Sequence, residues 1–221
     1  MELTIDRRYR GPLTSANGGY ACGRLAAYVD AHEVEVTLRL PPPLERPLAV
    51  ERDGELVRLL DGDALVAEAR REPVEVDPPP PVALDDAEAA HDRHVRGGGD
   101  DFGECFVCGM RADGLRVHVG PVSGREPLHA APVVLDQPAP EVVWAAIDCP
   151  GAYAVGAEGR GDIVLGRMTA GVERVPRPGE RCVVVAWPLG EDGRKLHAGT
   201  ALFGGDGALL ALAKQVWIAP R

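Results

Sequence analysis

Four Asp-Gly pairs, Asp53-Gly54, Asp61-Gly62, Asp192-Gly193 and Asp206-Gly207, each separate apolar, strand-like runs. Asp-Gly between such runs signals a hairpin, because a tight hairpin needs a positive φ that glycine adopts without a steric penalty. The pairs fall two and two toward either end of the chain, which predicts two antiparallel meanders. The third run of each meander aligns with the other, "DALVAEARRE" over "GALLALAKQV", so that Ala64, Leu65, Ala67 and Ala69 match Ala208, Leu209, Ala211 and Ala213. Alanine-rich runs favour helix by intrinsic propensity. Each nevertheless lies between a hairpin turn and a β-rich tail, "VEV" or "VWI", and both are read as strands.

Upstream of each meander lies one helix candidate, residues 16–29 and residues 139–149, and each is apolar around most of its circumference, as expected of a helix buried on most sides. Short strand candidates, "ELTIDRRYRG" before the first helix and "LRVHVGPV" with "EPLHAAPVVL" before the second, supply an opening segment for each unit. One helix wrapped by an antiparallel sheet, twice over, is a tandem (double) hotdog of the α+β class. Residues 73–104 carry four consecutive prolines, an acidic run and three consecutive glycines, the composition of a linker. The expected organisation is a first hotdog unit over 1–76, a linker with a CxxC segment over 77–113, and a second unit over 114–221.

The 221 residues, 45 % of them hydrophobic, suffice for a core without covalent staples. A formal net charge of −10, with Lys and Arg scattered, disfavours nucleic acid and membrane surfaces as partners. The expected partner is a small molecule, and the expected assembly a monomer or homodimer. Five cysteines, an odd number, and an N-terminus without a signal-peptide profile suggest a reduced, cytoplasmic setting. Charges, glycines or prolines interrupt every apolar run before the ~20 residues that a bilayer requires.

The first helix candidate opens with "NGGYACGRLA", in which Asn17 precedes Gly18 and Gly19 and Gly23 follows. Such glycines either admit another backbone or leave amide N–H groups open to a ligand. With "WAAIDCPG" around Asp148 and "LLALAKQVWI" around Gln215, this pattern resembles the double-hotdog acyl-CoA thioesterases of the acyl-CoA thioesterase II type, including thioesterase-like proteins of actinobacteria. The resemblance implies hydrolysis of an acyl thioester such as acyl-CoA, without a cofactor or metal, by a water held between three side chains. Asp148 matches the family's helix aspartate and Gln215 its last-strand glutamine, while Thr169 in "LGRMTAGVERV" is taken for the family's strand hydroxyl. Asn17, Gly18 and Gly19 would bind the substrate, their open amides receiving its carbonyl oxygen. Cys22 and Arg71 occupy the equivalent places in the first unit, which implies a single working site. A protein of this fold that binds an acyl or polyketide-like ligand without turning it over is the alternative, and a scaffold assembling through strand edges a third.

Each residue also has a plainer reading. Asp148 could simply end a helix that Pro150 would break anyway. An ionisable group between Ile147 and Cys149 on an apolar helix is, however, costly to bury without a partner. Gln215 could be an outward polar residue of an alternating strand, yet it shares its face with Ala213 and Trp217. Cys105 and Cys108 in "CFVC", with His91 and His94 upstream, have zinc-like spacing, but a lone CxxC lacks the second pair that would make it a strong signal. The plainer reading is an apolar turn that pins the linker through Phe102, Cys105, Phe106 and Val107. The glycines at 97–99 lack the flanks of a phosphate loop. Cys149 has no base that the sequence can place beside it, and "DAHEVEV", with Asp30 and His32, falls short of a hydratase Asp/His loop.

Overall fold

The computed structural model describes residues 1–97 and 102–220; the last two glycines of the 97–99 run lie outside them. The first meander comprises β3 (Leu48–Asp53), β4 (Leu56–Asp61) and β5 (Ala64–Arg71), preceded by β1 (Glu2–Leu3), α1 (Gly18–Ala26) and β2 (Glu33–Leu38). The second comprises β9 (Arg181–Asp192), β10 (Lys195–Gly204) and β11 (Leu209–Ile218), preceded by β6 (Gly120–Pro121), β7 (His129–Val134), α3 (Pro140–Ala146), α4 (Cys149–Ala154) and β8 (Val164–Val172). Between the two stands α2 (Leu84–His91), and a one-turn helix, α5 (Ala157–Arg160), follows α4. The glycines of all four Asp-Gly pairs have positive φ, at 64°, 59°, 58° and 80°. Gly54, Gly62 and Gly193 open two-residue loops, where a type II′ turn requires glycine.

The repeat extends to an irregularity of the ladder. On β5 the partners jump from Ala67 to Leu65, skipping Val66, and on β11 from Ala211 to Leu209, skipping Leu210. The sequence alignment sets Val66 over Leu210, and both bulged side chains are buried. The two Ala-rich runs are strands because each is the inner strand of a meander, where pairing on both edges outweighs helix propensity.

Strands β2 and β8 pair antiparallel, centred on Glu35 opposite Thr169, and join the two units edge to edge. The result is one continuous 11-stranded sheet, ordered β1-β3-β4-β5-β2-β8-β11-β10-β9-β7-β6, with each unit's wrapping sheet forming one half. Inside its curve α1 packs on α3 at close range. A Cβ on Gly23 would come within 2.7 Å of Glu141 Cα, and one on Gly19 within 2.7 Å of the Trp144 carbonyl oxygen. The glycines therefore permit the helices to approach, the first of the two roles their pattern allowed. Gly19→Ala is expected to destabilise the fold by about 1–2 kcal/mol net, overpacking outweighing the ~1 kcal/mol that alanine gains in helix propensity. Thermal melting checks this, and an unchanged midpoint would mean that the helices can spread apart at no cost.

The linker reading needs correction, because the stretch between the meanders is packed. Val82 with Ala87 and Ala90 of α2 forms a second core against Val183, Val185 and Phe203 on the outer face of the sheet. Residues 102–119 enter the main core instead. The Phe106 N–H donates to Arg10 O at 2.7 Å, the Val117 N–H to Val107 O at 2.8 Å, and the Phe106 ring stands edge-on to Tyr9, itself stacked on Tyr20. Cys105, Phe106 and Val107 pack as the plainer reading of that segment expects, while the linker-like composition concealed Val82, Ala87 and Ala90.

Candidate functional site

The second central helix breaks after α3. Pro150, in the first turn of α4, has no N–H to continue the ladder, and the Gly151 N–H bonds to Asp148 O at 3.0 Å. Ile147 O is thereby left without a helical donor. The Gln215 side chain supplies one, with Nε2 donating to Ile147 O at 2.7 Å and reaching Asp148 O and Thr200 Oγ1 at 3.3 Å. Its Oε1 accepts from Trp217 Nε1 at 2.8 Å. Gln215 and Thr200 are fully buried. A buried polar cluster of this kind, satisfied on every side, fixes the backbone at residues 147–148 and so aims the Asp148 side chain.

Asp148 points at the start of α1. Its Oδ2 accepts from Asn17 Nδ2 at 2.8 Å and from the Gly19 N–H at 2.9 Å. Asn17 is also the N-cap, its Oδ1 accepting from the Tyr20 N–H at 2.9 Å. A Cβ on Gly19 would come within 2.4 Å of Asp148 Cβ, so the contact that lets the helices approach also lets amide meet carboxylate. Asp148 Oδ1 is buried and has no hydrogen-bond partner among the described residues. Burial pushes the Asp148 carboxyl up to about 7, against the lowering pull of the Gly19 amide and Asn17. Gly18 is the one residue of the opening turn whose N–H has no acceptor among the described residues.

Asp148, Asn17 and Gly18 line a cavity of about 350 Å³ together with Leu165, Tyr153 and Trp217. The lining is mainly apolar, as small-molecule sites commonly are. It draws on both halves of the chain, and its wall includes the half-exposed Leu40 and Val164.

Thr169 does not join this group. It lies opposite Glu35 and Lys214, whereas Gln215 lies opposite Met168, so Thr169 and Gln215 are on different faces of the sheet. In a strand a one-residue step reverses the face, and Met168 holds the inward position assigned to the hydroxyl. The alternation of Arg167 and Thr169 with the fully buried Met168 and Ala170 was the legible signal for this. The hydroxyl near Gln215 comes from Thr200 on β10, which carried no mark in the sequence beyond its place in an apolar strand. Thr169→Val is expected to leave any turnover within about twofold of the parent, as for a side chain remote from the chemistry. A larger loss in a steady-state assay would return Thr169 to the site. Gln215, in turn, touches the backbone of Asp148 and not its carboxylate.

His91 and His94 do not approach the CxxC thiols through any hydrogen bond. They stack with His118 at centroid distances of 5.6 and 4.9 Å, and His94 meets Tyr153 edge-on at 4.8 Å. The residue that Cys105 and Cys108 meet is Cys149, with all three sulfurs within 4.8 Å of one another. The hydrogen bond from Cys108 holds the Cys105 thiol well below its usual range, and the same contacts with burial push Cys108 and Cys149 up.

No protein-family model matches the chain, and no curated protein is significantly similar to it. Solved structures are similar over nearly its whole length. A protein from Thermobifida fusca assigned as a thioesterase II superposes with a TM-score of 0.65 at 16 % identity, over 100 % of this chain and 92 % of that one. An acyl-CoA thioesterase II from Mycobacterium marinum gives 0.59 at 12 %, over 99 % and 92 %. The dehydratase domain of a mycocerosic acid synthase-like polyketide synthase gives 0.64 at 16 %, over 99 % and 90 %. At these identities the likeness establishes the architecture, a double hotdog, and leaves the chemistry to the site. No helix among the described residues is long and apolar enough to cross a membrane.

Proposed function

We propose that the protein hydrolyses an acyl thioester, with acyl-CoA as the substrate class, at Asp148. The observation that carries this reading is Asp148 in the wall of an apolar cavity, with its buried Oδ1 unpartnered among the described residues. A water bound to Oδ1 would give up its proton to the carboxylate as it attacks the thioester carbonyl. The Gly18 N–H, at the positive end of α1, would receive the developing oxyanion. Collapse of the tetrahedral intermediate breaks the carbon–sulfur bond, and the departing thiolate takes the proton from Asp148, leaving a carboxylic acid and a free thiol. Asn17 and the Gly19 N–H hold Oδ2 so that Oδ1 keeps its direction, and Gln215 acts only through the backbone of residues 147–148.

One specific observation favours the other reading, an acyl-binding protein without turnover. Gln215 spends its amide on protein partners and Thr169 lies across the sheet, so neither is free to orient the water. Dehydration, the activity named for one structural neighbour, has less support, because His94 Nδ1 meets Val119 O and His118 Nε2 meets Cys108 O, and neither bonds to Asp148. The deciding experiment incubates the protein with acyl-CoAs of graded chain length and a thiol reagent. Release of thiol that saturates with substrate supports hydrolysis, whereas saturable binding with no thiol release at any chain length supports the binder.

A further inference from the structure

Three cysteines that the hydrolytic mechanism does not use converge from two distant segments. Cys105 and Cys108 come from the core-entering segment 102–119, and Cys149 opens α4. All three are buried, unoxidised, and part of the cavity wall. The Cys105 and Cys149 sulfurs are 3.8 Å apart. Two thiolates on one tetrahedral Zn²⁺, each about 2.3 Å from the metal, stand about 3.8 Å apart. The CxxC backbone has the form of a ligand turn, since the Gly109 N–H closes on Cys105 O at 3.0 Å and the Val107 N–H donates to Cys105 Sγ at 3.4 Å. Asn17 Nδ2 lies 3.7 Å from Cys149 Sγ and 3.9 Å from Cys105 Sγ. Donors of this sort surround bound thiolates and orient them. Three sulfurs are one more than a disulfide uses, and soft thiolate donors in this geometry select zinc over the harder divalent ions.

We propose that Cys105, Cys108 and Cys149 form a three-thiolate Zn²⁺ site whose fourth position opens into the cavity. Each thiol gives up its proton as the metal–sulfur bond forms. The metal clamps segment 102–119 to the start of α4, beside the break that presents Asp148. A site with three protein ligands and one open position is the arrangement that admits water or a ligand donor to the metal.

The test titrates the full chain, reduced and freed of metal by a chelator, with Co²⁺ and then with Zn²⁺. One equivalent of Co²⁺ should give a sulfur-to-cobalt charge-transfer band with the intense visible bands of tetrahedral cobalt, and Zn²⁺ should bleach them. Cys149→Ser and Cys105→Ser should each weaken binding by roughly 100-fold or more, at or beyond what loss of an outer-shell partner costs. Cys182→Ala, on β9 and outside the cluster, should bind as the parent does. A reduced parent chain that develops no charge-transfer band, or that yields only an air-formed disulfide, overturns the proposal, and so does an unchanged spectrum and affinity in Cys149→Ser. The parent titration needs no variant to fold, and circular dichroism checks each variant. Metal–sulfur spectra are independent of hydrolysis, so either reading can fail while the other stands.

Discussion

Asp148→Asn is expected to abolish thiol release from acyl-CoA, lowering turnover by roughly 100- to 10,000-fold, the range a positioned general base contributes. Asparagine keeps the shape of the side chain and an oxygen that can accept from Asn17 and the Gly19 N–H. What it loses is the proton acceptor. Because the carboxylate is buried with one oxygen unpartnered, its neutralisation should leave the melting temperature unchanged or raise it. Binding of a non-hydrolysable acyl-CoA analogue, followed by calorimetry, should persist. Turnover equal to the parent's in the asparagine variant would remove Asp148 from the chemistry.

Replacing Gln215 with leucine should instead act on stability. Leucine roughly fills the volume but strips partners from Ile147 O, Thr200 Oγ1 and Trp217 Nε1, all in the interior. Each group left buried without a partner costs about 1–3 kcal/mol, so a loss of about 3–5 kcal/mol and a fall of about 10 °C in Tm are expected. Turnover should drop with it, because the 147–148 backbone that aims Asp148 is released. If Gln215 served the water directly, the leucine variant would lose turnover and keep its melting temperature, an outcome that a differential scanning calorimeter separates cleanly. Gly151 belongs to the same arrangement. A Cβ there would stand 1.7 Å from Gln215 Oε1, which explains a glycine after the helix-breaking Pro150.

Several parts of the site were legible in the chain. Asp148 stood out as an ionisable group in an apolar run, and Gln215 shared a strand face with Ala213 and Trp217; both are buried. The Asn-Gly-Gly opening marked a close approach or open amides, and its Gly19 amide serves the carboxylate of Asp148 in place of a substrate carbonyl. Thr169 was misplaced by a register of one residue, the error to which strands are most sensitive. Thr200 and Cys149 gave no comparable signal. A threonine in a strand and a cysteine in a buried helix have ordinary packing roles, and their partners are not near them in sequence.

The chain by itself determined the duplication and the hairpins, because turn chemistry and a period of two act between neighbours along the backbone. Only the tertiary structure decided that the two wrapping sheets fuse through β2 and β8, that Asn17 reaches Asp148 across 131 positions, and that Cys149 meets Cys105 across 44. Those meetings depend on how closely α1 and α3 dock and on where segment 102–119 enters the core. Such long-range packing is set by the whole fold at once, and no local pattern encodes it.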